Sequence, residues 1–304
     1  MNIKAINYLV LLMIIFVLSC KDAKPKLLVI GTVDKCRKNP QFLSKYNIKT
    51  PVYIDLRQKS YKGFTIIEAR ENGKKLRLPS WQSAGNLGAY TMDDKGNIYI
   101  SPMPHVSLYN SPLRFENILY KVDTKTGVMD SVFRVDFAKP PHNSNPYGIT
   151  GMTYDCESNY LYTSSVAGST IKEEIGIIQK VDVENKKVVS SFKNVDAIGI
   201  TLFKTRNAKR LYYGLARHPE IYSISLDESG NFKGESRFEI SLVEAKGGSF
   251  DKAHKLSING NIMTIKAIEF NYTLMAASDP QRNIYRYKYD KEMDEWIFID
   301  VKKQ

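Results

Sequence analysis

The chain has 304 residues and a formal net charge of +12, with three cysteines and four histidines. So few cysteines exclude a disulfide-stapled scaffold. The basic residues sit singly in turn-like stretches, as at Lys95, Lys125, Lys186, Lys187 and Lys233, with no nucleic-acid motif beside them, so no nucleic-acid partner is expected.

In chain order, the first element is a leader over residues 1–19. Lys4 is its only charge, an apolar run extends from Tyr8 to Leu18, and Ser19 precedes Cys20. The run is too short to span a bilayer, which needs about 20 apolar residues, and it has the layout of a secretory signal. Val17-Leu18-Ser19-Cys20 resembles the lipobox of bacterial lipoproteins. That resemblance implies cleavage before Cys20, lipidation of Cys20 and a membrane partner reached through the lipid. Residues 20–26 are then a polar lipidated tether. The expected location is the outer membrane of a Gram-negative bacterium, facing either the periplasm or the surface. The partial match of Lys21-Asp22 to a surface-export signal favours the surface slightly.

Residues 27–304 read as repeated four-stranded units. First strands are expected at Gly88–Asp93, Gly148–Asp155, Ala197–Phe203 and Ile265–Phe270. Second strands are expected at Ile98–Ser101, Tyr160–Ser164, Arg210–Leu215 and Thr273–Ser278. Third strands follow at Ile118–Asp123, Ile177–Asp182, Glu220–Ser225 and Asn283–Lys288. Outer strands follow at Asp130–Asp136, Val188–Lys193, Ser236–Leu242 and Glu295–Asp300. Many of these segments alternate apolar and polar residues and are rich in Tyr, Ile and Val. A degenerate early unit spans Leu27–Thr32, Val52–Asp55, Phe64–Glu68 and Lys75–Leu78, with Tyr53 on its third strand.

Repeated four-stranded units predict an all-β fold, a β-propeller of five or six blades, because a lone blade cannot bury both faces. The run Asp-x-x-Gly-Asn-x-Tyr-Ile at 93–100, followed by Ile-x-Tyr-x-Val-Asp at 118–123, resembles NHL-type and six-bladed propeller families. These include many lipoproteins of uncharacterised role. The resemblance covers most of residues 88–300 and implies architecture, not activity.

The loops from second to third strand and from blade to blade should share one face, and long loops on a rigid scaffold are where function concentrates. All four histidines are expected there: His105 and His218 in second-to-third loops, His142 and His254 between blades. Arg217, Asp279, Arg282, Trp81, Tyr109 and Tyr147 join them as ligand-binding candidates, since flat aromatic rings and fixed arginine donors suit sugars or peptides. The expected function is a lipid-anchored docking or binding module for an envelope protein, peptide or glycan, with the lipid holding this face near the membrane.

No nucleophile elbow, phosphate-binding loop or His-Glu-x-x-His run is present. No cofactor is expected and no catalytic residue is assigned. The alternative is a metal-dependent hydrolase or lactonase at the channel mouth, with a divalent ion held by histidines or by a set such as Asn86, Asn145, Glu269 and Asp279. A disulfide between Cys36 and Cys156 stays open at this point.

Overall fold

The computed structural model describes residues 29–33, 37–56, 62–104, 113, 116–245, 250–274 and 282–303. The signal segment, Cys20, Cys36, His105, Tyr109 and Asp279 lie outside the described residues. Five antiparallel sheets form a five-bladed β-propeller. Blade one has three strands, β2 (Val52–Asp55), β3 (Thr65–Glu68) and β4 (Lys75–Leu76). Blade two comprises β5 (Leu87–Met92), β6 (Ile98–Pro102), β7 (Ile118–Val122) and β8 (Met129–Arg134). Blade three comprises β9 (Ile149–Asp155), β10 (Tyr160–Ser165), β11 (Ile177–Asp182) and β12 (Lys187–Lys193). Blade four has β13 (Ala197–Lys204), β14 (Lys209–Leu215), β15 (Glu220–Leu226) and β16 (Phe232–Ser241). Blade five has β17 (Asp251–Asn259), β18 (Ile262–Glu269), β19 (Asn283–Asp290) and β20 (Glu295–Lys303).

Apolar clusters fill the spaces between neighbouring blades, as a propeller requires. One joins Phe203 and Tyr212 of blade four to Met263, Tyr285, Tyr287 and Trp296 of blade five. Another joins Tyr99 and Leu119 of blade two to Met152, Tyr154 and Leu161 of blade three. The inner strands pack in order from β5 through β9 and β13 to β17.

Three expectations are corrected. The inner strand of the last blade is Asp251–Asn259, not Ile265–Phe270, which largely belongs to the second strand; of the expected second strand, only 273–274 are described, and they are not in a sheet. The two-residue turn between Asn259 and Ile262 contains Gly260 at φ 61° and sets this register. Tyr53 lies on an innermost strand rather than a third strand, because β2 borders the propeller axis. Gly31–Thr32 forms strand β1, which joins blade four instead of blade one, pairing Gly31 with Lys204 and Thr32 with Phe203 at the turn end of β13.

From β1 the chain is next held at blade two, where the Lys38 amide donates to the Asp93 carbonyl and the Phe42 amide to the Thr124 carbonyl at 2.8 Å. The N-terminal segment is therefore tied to two blades at the turn end of the axis. Cys156, in the turn between β9 and β10, is disulfide-bonded.

Candidate functional site

A cavity of about 760 Å³ occupies the axis, a size suited to a small ligand. Its walls are Tyr53–Leu56 of blade one, Leu87–Met92 of β5, Thr150–Thr153 of β9, Gly199–Thr201 of β13 and His254–Ser257 of β17, with Lys266 from β18. Met103 and Arg282 contribute from loops on the loop face, and Arg37 from the N-terminal segment.

The cavity wall depends on a recurrent irregularity. Four inner strands each carry one extra residue against their second strand near the loop-face end, where a bulge re-aims side chains. The shift lies between Leu87 and Tyr90 in β5, at Thr150 in β9, at Ile198 in β13 and at His254 in β17. Thr150 and His254 line the cavity. Ile198 instead packs with Val166 and Ala216 beneath Tyr147, Phe270 and Tyr272.

His254 was expected in a blade-to-blade loop; it stands on inner strand β17, because that strand begins at Asp251. Burial, followed by the positive charges of Lys255 and Arg282, pushes its imidazole down to about 4, so it is neutral at pH 7. Burial in the wall and then Arg37 lower the Lys255 ammonium below the usual lysine value. The Lys255 Nζ also lies 5.1 Å from the centre of the Tyr90 ring. Arg37, Lys255, Lys266 and Arg282 thus line the cavity, against Asp55 as the one lining carboxylate among the described residues.

The other sequence candidates do not converge on this cavity. Trp81 is fully buried rather than displayed on the loop face: it stacks on Phe64 at 3.9 Å and donates Nε1 to the Gly127 carbonyl. Arg217 is engaged on several sides. It donates to Asp196 at 3.0 Å and to the carbonyls of Thr170, Ile171 and Glu173, and lies 5.4 Å from the Tyr272 ring centre. Asp196 is fully buried and also accepts from the Ser169 hydroxyl, the Gly176 amide and the Tyr272 hydroxyl. This group ties the β10–β11 loop to blade four. Tyr147 packs on Phe270 at 5.0 Å between ring centres. His142 stays in its own turn, accepting from the Ser144 amide, and His218 is exposed on the loop face. Only His254 and Arg282 of the described candidates reach the axial cavity.

For the alternative metal set, the Asn145 amide is spent on the carbonyls of Val166 and Ser169. Among the described residues, no three His, Cys, Asp or Glu side chains converge in a metal-holding group.

Residue-type reasoning missed Glu116. It lies between β6 and β7, is fully buried, and among the described residues neither carboxylate oxygen has a hydrogen-bond partner. Burial pushes its carboxyl up to about 8.

No family model and no curated protein matches the chain. Solved propellers do. A luciferin-regenerating enzyme aligns at TM-score 0.54 with 12% identity over 90% of this chain and 80% of its own. An exo-β-1,3-galactanase from Phanerochaete chrysosporium, solved with galactose, aligns at TM-score 0.50 with 9% identity over 82% of this chain and 60% of its own. At such identities the likeness establishes the β-propeller fold alone.

Glu116 makes a pH prediction. Its carboxyl ionises near 4.5 in the unfolded chain but only near 8 when folded. Its contribution to stability is therefore fully present below pH 4.5 and is lost as pH rises through 8. Glu116→Gln should be the more stable form at pH 7 by about 2–4 kcal/mol in urea unfolding, with the gap closing near pH 4.5. Parallel pH profiles of the two proteins would contradict this.

Proposed function

We propose that this propeller is a lipid-anchored envelope binding protein whose axial cavity receives a small ligand. The observation that carries the reading is the cavity itself: blade walls of apolar and hydroxyl side chains, with cationic groups gathered at one side. A metal-dependent hydrolase or lactonase is the second reading. The enzyme names of the two aligned propellers favour it only weakly, and the carboxylates and histidines among the described residues do not converge.

Anchoring through Cys20 on the outer membrane of a Gram-negative bacterium is part of the same proposal. The pairing of β1 with the turn end of β13 supports an anchor on the turn side of the propeller. Eight residues separate Cys20 from Val29, and the nine extended steps between them reach roughly 30 Å. The lipid then holds the turn face toward the bilayer and the loop face away from it. This reverses the orientation expected from the sequence.

A soluble form beginning at Lys21 should bind the neutral dye phenylnaphthylamine with one site per chain, and Met103→Trp, which fills the loop-face end, should weaken it. Binding indifferent to Met103→Trp would remove the cavity reading. Labelled palmitate should enter the full chain in cells and should not enter Cys20→Ala; equal labelling would remove the anchoring reading.

A further inference from the structure

We propose that the cavity selects a small organic acid: a ring-sized apolar body carrying an anionic head, with the head directed at blade five. The inference rests on the reading of the cavity as a binding site and adds the charge and orientation of what it binds.

The lining divides into two chemically different halves. Blades one to three offer Tyr53, Tyr90, Met92, Met103 and Met152 with the threonine hydroxyls of β5 and β9, and the carboxylate of Asp55 at the blade-one side. Blade five offers His254, Lys255, Lys266 and Arg282. Among the described residues none of Lys255, Lys266 and Arg282 forms an ion pair, whereas Lys209, Arg217 and Arg286 do. Lys255 and Lys266 are cross-strand partners on β17 and β18, so two exposed lysines start from opposite positions on the same face of the strand pair. Like charges placed directly across a strand pair are destabilising. An anion bound beside them would relieve that repulsion.

His254 adds a directional contact. Being neutral, it supplies one ring N–H and one acceptor and does not itself add to the positive charge. The bulge aims it into the cavity, and Gly199 allows the approach, since a Cβ there would collide with the His254 carbonyl. A carboxylate or sulfonate seated against Lys255 and Arg282 would lie where the imidazole can donate to it. The apolar wall opposite accounts for the body of the ligand, in the usual pattern of an apolar pocket with a few placed polar groups.

The enclosure limits size. Arg37 and the N-terminal segment stand at the turn end of the axis, held there by β1 and by the bonds to Asp93 and Thr124. A cavity of about 760 Å³ accommodates a monomeric acid or a chain terminus.

The test compares two dyes that share one aromatic body. Anilinonaphthalene sulfonate carries the anionic head and phenylnaphthylamine lacks it. The soluble form beginning at Lys21 should bind the sulfonate roughly tenfold or more tighter than the neutral dye, because charge-assisted hydrogen bonds are about twice as strong as neutral ones. In Lys255→Gln/Arg282→Gln the two affinities should converge, the sulfonate losing its advantage over the neutral dye. Lys266→Gln, on the neighbouring strand, should give a partial loss of the preference and serves if the double variant folds poorly. Equal affinity for the two dyes in the wild type, or a preference that survives both variants, overturns the inference while leaving the binding reading in place. Failure of both dyes to bind overturns the binding reading instead.

Discussion

The close approach of blade five to blade four sets the chemistry of the axis. Gly199 and Gly214 lack the Cβ atoms that would strike the carbonyls of His254 and Ala253, so β17 lies against blade four at backbone distance. That contact fixes where His254 and Lys255 project. The space left between β17 and the inner strands of blades one to three is the cavity. A side chain at either glycine would move β17 and disturb the wall before it disturbed any other part of the propeller.

Packing and function are separated within this architecture. The loop-face network around Asp196 and Arg217 is a load of buried charge, and its value lies in being completely paired: breaking one partner of such a group is far costlier than the pair is stabilising. Trp81, by the same logic, closes the space between blades one and two, with its indole N–H satisfied by Gly127. Lys255, Lys266 and Arg282 follow the opposite pattern, since among the described residues they form no ion pair, unlike Arg286 of the same blade, which is paired with Asp300. Glu116 is a further departure, a buried acid held neutral at the cost of pH sensitivity.

Much of the blade pattern was readable because hairpin strands with Tyr, Ile and Val recur, and the strands Ile118–Val122, Ile177–Asp182 and Glu220–Leu226 fall where alternation predicts. Blade five was misread because Asp251–Asn259 mixes Lys, His and Ser with its apolar residues. Those polar side chains face a cavity, where a strand looks like a loop to any rule that assumes an apolar inner surface. The Asn259-Gly260 pair was the available signal for that hairpin. His254 and Arg282 were chosen as histidine and arginine on loops, and only the bulge and the blade geometry bring them together. Lys255 and Lys266 could not be separated from the solvated lysines of the turns, because their significance is positional: they are partners across the same strand pair. Trp81 and Arg217 show the converse, in that residue types common in binding sites are equally suited to seal a core or clamp a loop.

The most direct measurement is a crystal structure of the soluble chain soaked with an iodinated benzoate, whose iodine atoms report their own positions by anomalous scattering. The account predicts iodine peaks inside the axial cavity with the carboxylate toward Lys255 and Arg282. Peaks confined to the outer strands or the blade clefts, with the axis empty, would contradict it.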